Sequence, residues 1–406
     1  MSNLPDEAYA TALASLPFIA AARLSELSLK FGWSEAWRLA KSDLLRGKLD
    51  LRTSSERSPD EILASWVGHL EILDVEKYFH YHLAAGIQIT LAGSPHMPAC
   101  FAAESQPPQV IFSKGSLASL VCPCVGVVGT RRASSYGLSM AHQIGSSLAE
   151  VGVSVVSGLA LGIDGAAHRG VLSCRESAQI SDHERPPSDE PARHGVGATV
   201  GIVASGLDVI YPSQHRDLWT AVIDNGVLIS EVPLGGRPLP WRFSQRNRLI
   251  AAASHAVICV ESKHVGGSMA TARMALNRGT NVLCVPGALT NPLSQGPHDL
   301  LYEGASVYRN VDDAVVALSS TAPWTPQLST TLKYDAARSA VAHSTDPVAA
   351  AVLTLLLAEP LSLDSIVALS ALPLPDVVRS LRVLQANGAA DNLLGQWVAT
   401  TSNGKR

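Results

Sequence analysis

The pattern of apolar and polar positions divides the chain into regions of different texture. Over residues 1–85, apolar residues recur every three or four positions, as in EILASWVGHLEILDVEKYFHYHLAA, which is the period of a helix with one buried face. This predicts a small helical domain. From Ile87 the texture shifts to short β-rich runs, IQITL and QVIFS, separated by turns bearing Gly and Pro. Between Val125 and Tyr308, continuous apolar runs (VGVVG, VSVVS, TVGIVA, VLIS, AVICV, NVLCV) alternate with helical segments. Strands that are apolar along their whole length are covered on both faces. The pattern over residues 86–318 therefore predicts an α/β domain with a Rossmann-like, doubly wound, mainly parallel sheet.

Two polar stretches break this order. Residues 175–195, RESAQISDHERPPSDEPARHG, lack apolar periodicity and carry prolines, which predicts a disordered surface insertion that either shields a neighbouring crevice or is inert. Residues 319–345 are dominated by Ser, Thr, Pro and Ala and read as a linker. Beyond it, residues 346–400 hold helical runs broken at Pro360, at ALPLP and at Asn387-Gly388, then a short hairpin-like end. That is the outline of a C-terminal winged-helix-like domain. Its second helix, Pro375 to Ala386, has only Arg379 and Arg382 as cations, so DNA contact and protein docking or regulation both remain open for it.

Ligands of doubly wound sheets sit at the carboxyl ends of the strands. Here those ends read GTRRASSYG, SGLALGID, SGLDVIYP, SEVPLGG, ESKHVGGS and VPGALTNP, and glycine recurs at most of them. Glycine lets a backbone approach a phosphate, and helix N-termini after such turns present unpaired N–H groups to anions. Arg131 and Arg132 follow Gly129-Thr130 and place cations where an anion would lie over the next helix. The segment WRFSQRNRLIAA adds Arg242, Arg246, Arg248 and Asn247 beside the flat faces of Trp241 and Phe243, a combination suited to unpaired nucleic acid.

Composition limits the alternatives. A formal charge of −4 and a pI near 6.3 exclude a protein that coats duplex DNA through its overall charge, so any nucleic-acid site must be a local basic pocket. The N-terminus lacks the basic start and apolar core of a secretory signal, and no run reaches the roughly 20 apolar residues of a membrane span, so a cytoplasmic protein is expected. Cys259 and Cys284 lie in apolar runs as small hydrophobes. Cys122 and Cys124 resemble half a zinc site but have no second Cys or His pair at ligand spacing, so no metal is expected. The first turn, GVVGTRRASSYG, lacks G-x-G-x-x-G, and the second strand ends in Ser157-Gly158 without the ribose-binding acid; no P-loop motif occurs either. No cofactor is expected. Asp164 and His168 stand at i,i+4 spacing, and the structural reading is favoured: Asp164 as an N-terminal helix acid or cap, His168 as a packed side chain.

Taken in order, GVVGTRRASSYG, VVSGLALGIDGAAHRG, VASGLDVIYPSQHRDL, LISEVPLGG, RFSQRNRLIAAAS, GGSMATARMALNRG, VPGAL and NPLSQGPHDLLYEGA give the central domain a resemblance to the DprA (Smf) family. Agreement is weaker at both ends, where the resemblance implies a helical domain of the sterile-alpha-motif or helix-hairpin-helix kind and a winged helix. It also implies a bacterial cytoplasmic protein without catalytic activity. Such a protein binds and protects incoming single-stranded DNA, loads the RecA recombinase during natural transformation, and forms a homodimer. Carried over motif by motif, its DNA-binding residues here would be Thr130, Arg131, Arg132, Gly158, Arg246, Asn247, Arg248, Lys263, Gly267 and Ser268.

Some positions depart from the family pattern: Leu161 replaces an arginine, His298 an amide-bearing residue, and Trp241 and Ser244 stand where Gly and Pro are common. An alternative is a nucleotide-phosphate-binding enzyme related to the lysine-decarboxylase-like phosphoribohydrolases. In VGGSMATAR, however, Arg273 occupies the place of the glutamate that chemistry needs. A regulatory adaptor acting through the C-terminal module is a third possibility, but it leaves the arginine and glycine crevice unexplained.

Overall fold

Among the described residues, the helical periodicity at the start of the chain forms five helices: α1 (Asp6–Ala14), α2 (Ala21–Phe31), α3 (Trp33–Lys41), α4 (Pro59–Ile72) and α5 (Val75–Ala84). The structure is a computed structural model and describes residues 4–49, 58–121, 123–183, 196–319, 346–358, 361–386, 389–393 and 396–399. The entry to α4 is a capping box, in which the Ser58 hydroxyl accepts from Glu61 N and the Glu61 carboxylate accepts from Ser58 N. Asp74 caps α5 by accepting from Lys77 N at 3.1 Å. The helices close over Leu13, Leu16, Trp66 and Leu70, all fully buried, and the same apolar cluster continues into Phe112, Leu228 and Leu234 of the central domain.

The central domain runs in the order β1 (Gln88–Leu91), α6 (Ala99–Ala102), β2 (Val110–Gly115), β3 (Cys124–Val128), α7 (Ser135–Glu150), β4 (Ser154–Ser157) and α8 (Ile163–His183). It continues through β5 (Thr199–Ile202), α9 (Arg216–Asp224), β6 (Gly226–Ser230), α10 (Pro240–Ala252), β7 (Ala256–Cys259) and α11 (Gly267–Asn277). It closes with β8 (Asn281–Cys284), α12 (Gln295–Tyr302), β9 (Ser306–Val307) and α13 (Val311–Ser319). The strands form one nine-stranded sheet, ordered β1-β2-β6-β5-β4-β3-β7-β8-β9. From β6 to β9 neighbours pair parallel, while β1 and β2 add an antiparallel edge. Every residue of β3, β4, β5, β6 and β7 is buried, the small polar Ser154, Ser157, Thr199 and Ser230 included, as strands covered on both faces by mainly apolar side chains should be. The Rossmann-like α/β expectation holds.

From β3 the chain winds outward one way through β4 and β5 to β6, then returns to place β7 on the other side of β3. The topological switch point therefore lies between β3 and β7, where the connections after the two strands leave in opposite directions and open a crevice. Residues 175–183 correct the expectation of a disordered insertion: they are the last turns of α8. No Gly or Pro occurs between Gly170 and Pro186, and once a helix is nucleated each further residue adds a hydrogen bond without needing an apolar face. Arg175 fastens this stretch to Asn225 Oδ1 at 3.2 Å and to the carbonyl of Val196 at 3.1 Å. The rest of that expectation, residues 184–195, and the expected linker from residue 320 lie outside the described residues, as does Cys122.

At the C-terminus come α14 (Pro347–Ala358), β10 (Leu361–Ser362), α15 (Leu363–Ser370), α16 (Leu374–Ala386), β11 (Ala390–Leu393) and β12 (Gln396–Ala399). The strands form a small antiparallel sheet in the order β10-β12-β11, and Val352, Leu353, Ile366, Val377 and Leu381 make a separate core.

Helices α7 and α8 cross closely at two glycines. A Cβ at Gly145 would meet the carbonyl of Ala167, and one at Gly170 the carbonyl of His142. Gly170→Val should therefore lower the unfolding free energy by roughly 1–3 kcal/mol. Urea denaturation reads this, and an unchanged midpoint would mean that the two helices have room to spare.

Candidate functional site

At the switch point a crevice of about 350 Å³ opens between the ends of β3, β4 and β7 and the face of α10. Thr130, Arg131 and Arg132 enter it from the turn after β3, and Lys263, Gly267 and Ser268 from the connection after β7 and the start of α11. Arg246 and Asn247 enter from α10. Thr130 N donates to Glu261 O at 2.7 Å, which ties the two turns together, and the Thr130 hydroxyl accepts from Arg132 N at 3.2 Å. The side chains of Arg131, Arg132 and Lys263 are exposed, and Arg132 and Lys263 make no ion pair among the described residues.

Arg246 is different, because it is only 7% exposed. Its Nη1 donates to the carbonyl of Ile202 at the end of β5, and its Nε has no partner among the described residues. Burial pushes its pKa down to about 10; Asp164 opposes that shift and the charge of Arg131 adds to it. It therefore remains a cation at neutral pH. Asp164, in the first turn of α8, accepts from Gly158 N at 3.1 Å; burial raises its carboxyl pKa, and the charge of Arg246 pulls it back. Gly158 does not line the crevice. A Cβ there would collide with the Arg246 guanidinium, so this glycine makes room for the arginine.

The two helix starts beside the crevice are used differently. The cations Arg131 and Arg132 precede α7 in the sequence, where an anion over that helix is expected, but the N-terminus of α7 is already filled. Ser134 caps it by accepting from Gly137 N at 3.0 Å, and the Glu261 carboxylate accepts from Ser134 N at 2.9 Å and from the Ser134 hydroxyl at 2.5 Å. Gly137 leaves space for that carboxylate, which a Cβ would strike. Helix α11 has Gly266 as its N-cap and no side-chain cap, so its first-turn amides are left without a side-chain acceptor where Gly266, Gly267 and Ser268 line the crevice. Asn247 holds this start in place by donating to Gly267 O at 3.1 Å, and Ser268 Oγ donates to Ser262 Oγ at 2.8 Å. Of the two helix starts, the one left uncapped with cations around it is therefore that of α11.

Arg248 is not in the crevice. It pairs with Glu231 at 2.5 Å and donates to the carbonyl of Gln106 at 3.0 Å. Two residues along a helix amount to about 200° of rotation, so Arg246 and Arg248 cannot share a face. The aromatic pair divides likewise. Phe243 lines the crevice, with the Arg131 guanidinium 4.8 Å from its ring centre and Tyr211 at 5.6 Å, whereas Trp241 faces a small cleft with Ala14, Ile19 and Leu24 of the N-terminal helices. His168 is fully buried and held neutral, its pKa pushed down to about 3 chiefly by burial. His298 bonds Gly287 O at 3.0 Å through Nε2, and Arg273 meets Glu303 at 3.3 Å on the exposed side of α11. Glu261 carries little signal in the sequence, only that of an acid at a strand end in ESKHVGGS.

These features define a class: a Rossmann-like α/β protein whose switch-point crevice is cationic and edged by glycines. The family model described as DNA recombination-mediator protein A matches residues 88–319. Protein Smf of Escherichia coli strain K12 is 31% identical over 314 residues, covering 77% of this chain and 75% of that protein. DNA processing protein DprA of Bacillus subtilis strain 168 is 32% identical over 229 residues, 56% of this chain and 70% of that one. The X-ray structure of DprA from Streptococcus pneumoniae superposes with a TM-score of 0.54 at 26% identity, covering 73% of this chain and 98% of that one. The chain belongs to the DprA/Smf family of DNA recombination mediators.

Arg248 and Glu231 form a largely buried pair in which burial raises the Glu231 carboxyl pKa and Arg248 draws it down. Arg248→Ala leaves that carboxylate buried without its cation and should cost roughly 3 kcal/mol of stability near neutral pH. The deficit should shrink as the pH falls toward the ordinary glutamate value of about 4.3, because a proton then replaces the lost cation. Arg131→Ala should stay within about 0.5 kcal/mol of the parent. Denaturation at several pH values compares the two, and equal stability for both variants would contradict the assignment.

Proposed function

We propose that the crevice binds single-stranded DNA without sequence preference and that the protein acts through it as a non-catalytic recombination mediator in the bacterial cytoplasm. The observation that carries this reading is the convergence of Arg131, Arg132, Lys263 and Arg246 on the uncapped start of α11, with the Phe243 ring alongside. Cations and amides suit phosphates, and an aromatic face suits an unpaired base. A crevice of small-ligand size suits nucleotides drawn in singly rather than a stacked duplex. In this reading Thr130, Gly158 and Asn247 shape the pocket, Gly267 and Ser268 offer donors, and Arg248 holds α10 from behind.

Membership of a recombination-mediator family supports a role upstream of strand exchange. On this reading the strand held open in the crevice is passed to the RecA recombinase, as during natural transformation. A homodimer would set two crevices on one strand and raise affinity through effective concentration. The C-terminal elements would act as a winged-helix module, touching DNA or docking a partner. The phosphoribohydrolase alternative gains no support from Arg273, which lies outside the crevice in an exposed pair.

Fluorescence anisotropy with labelled single-stranded and duplex oligonucleotides of equal length, across a salt series, tests the reading. The single strand should bind more tightly, and Arg131→Ala and Lys263→Ala should each weaken it by about tenfold and reduce the salt slope by about 0.7, as expected for one lost phosphate contact. Affinity and slope equal to the parent in both variants would sink the pocket assignment.

A further inference from the structure

Among the described residues, the crevice takes none from the N-terminal helices; its lining begins at Val128. Yet α5 grips the segment that leads into α10. Tyr78 Oη donates to the Leu234 carbonyl at 2.8 Å, and His82 Nε2 accepts from Leu234 N at 2.9 Å. Both backbone groups of one residue, itself 3% exposed, are thus held by side chains one helical turn apart on another element. The same helix reaches the neighbouring loop, where Tyr81 Oη lies 3.4 Å from Asp208 Oδ2 and the Asp208 carboxylate accepts from Gly235 N at 2.9 Å and 3.0 Å. Leu234 is followed within nine residues by Phe243, and the loop bearing Asp208 carries Tyr211, whose ring packs on Phe243.

Resting on the single-stranded DNA reading of the crevice, we propose that Tyr78 and His82 are positioning residues, which clamp Leu234 and thereby fix where α10 presents Phe243, Arg246 and Asn247 to DNA. The helical N-terminal region is then part of the DNA-binding apparatus without touching the ligand. The clamp depends on one protonation state. His82 Nδ1 lies 2.8 Å from the Tyr78 carbonyl and must donate to it, so Nε2 can accept from Leu234 only while the ring is neutral. The ring is fully buried, with Tyr78 and Tyr81 of its own helix, Phe112 of β2 and Asp208 around it, and Arg242 of α10 next to Tyr78. Burial holds its pKa below the ordinary imidazole value. A depressed pKa means that the folded clamp disfavours the proton. The clamp is therefore fully effective above about pH 6.5 and weakens as the pH falls from there toward the depressed value.

The test uses the full chain, with Tyr78→Phe, His82→Leu and His82→Gln, the last being a side chain that can donate to Tyr78 and accept from Leu234 but does not titrate. Hydrogen exchange over residues 232–239 reports the clamp independently of DNA, and anisotropy reports single-stranded DNA affinity. Tyr78→Phe and His82→Leu should speed exchange in that segment and weaken binding by about two- to tenfold. His82→Gln should restore both near pH 7.5 and remove the part of the acid-side loss of affinity that the parent shows below about pH 6.5. Should His82→Leu fail to fold, Tyr78→Phe and the pH comparison of parent with His82→Gln still decide the matter. Unchanged exchange in Tyr78→Phe, or identical pH profiles for parent and His82→Gln, overturns the proposal. Faster exchange in the variants of a parent that binds no single-stranded DNA supports the clamp and overturns the DNA reading instead.

Discussion

The Arg246 guanidinium, held nearly out of solvent at the switch point of the sheet, constrains everything placed around it. A buried cation is expensive unless hydrogen bonds and an opposing charge offset its lost hydration. Here the Ile202 carbonyl accepts from it, Asp164 supplies charge from the start of α8, and Gly158 leaves out the Cβ that would occupy its space. These contacts come from β5, α8 and the end of β4, so the position of one side chain fixes how three elements meet. The compensation is incomplete, because Nε has no partner among the described residues and Arg131 repels from nearby. Two cations this close, with Arg132 and Lys263 at the rim, make a site that an anion would stabilise.

The rest of the domain leaves that cationic crevice uncompensated. Glu261 is the one acid at the end of β7, yet its carboxylate is turned into the start of α7 by Ser134 and so does not neutralise the crevice. Asn247 works in the opposite sense on α11, bonding a carbonyl rather than an amide and leaving the first-turn N–H groups uncapped. One helix start is closed by a carboxylate and the other is left open. That asymmetry leaves a chain of net negative charge with one locally cationic crevice beside an uncapped helix start.

Much of this was legible in the sequence, for identifiable reasons. Strands buried on both faces are apolar at nearly every position, so VGVVG, VSVVS and AVICV announce a parallel sheet, and a parallel sheet announces where its ligand crevice lies. Arg131, Arg246, Asn247, Lys263, Gly267 and Ser268 stand in motifs next to those strand ends, and the structure brings them together. What stayed hidden depended on facing and on distant partners. The spacing of Arg246 and Arg248 shows that they diverge, but not which of them meets Glu231. Residues 175–183 are helical because a nucleated helix needs no amphipathic pattern to continue, a case in which polarity misleads. That Gly158 leaves room for the Arg246 guanidinium is visible only once that side chain is placed.

The link between α5 and Leu234 was the least legible feature, since 152 residues separate His82 from the amide it accepts. Nothing local in EKYFHYHLAA marks His82 as more than a residue on an amphipathic helix. Its significance comes from the apolar cluster that runs without a break from Leu13 and Trp66 to Phe112, Leu228 and Leu234. A shared core of this kind makes the N-terminal helices a fixed wall rather than a tethered appendage. Hydrogen bonds made inside that wall are shielded from water, so they can set the position of α10 more sharply than the same bonds could at an exposed surface. The crevice is accordingly shaped from two directions: from within by the buried charge of Arg246, and from outside by a helix that never reaches it.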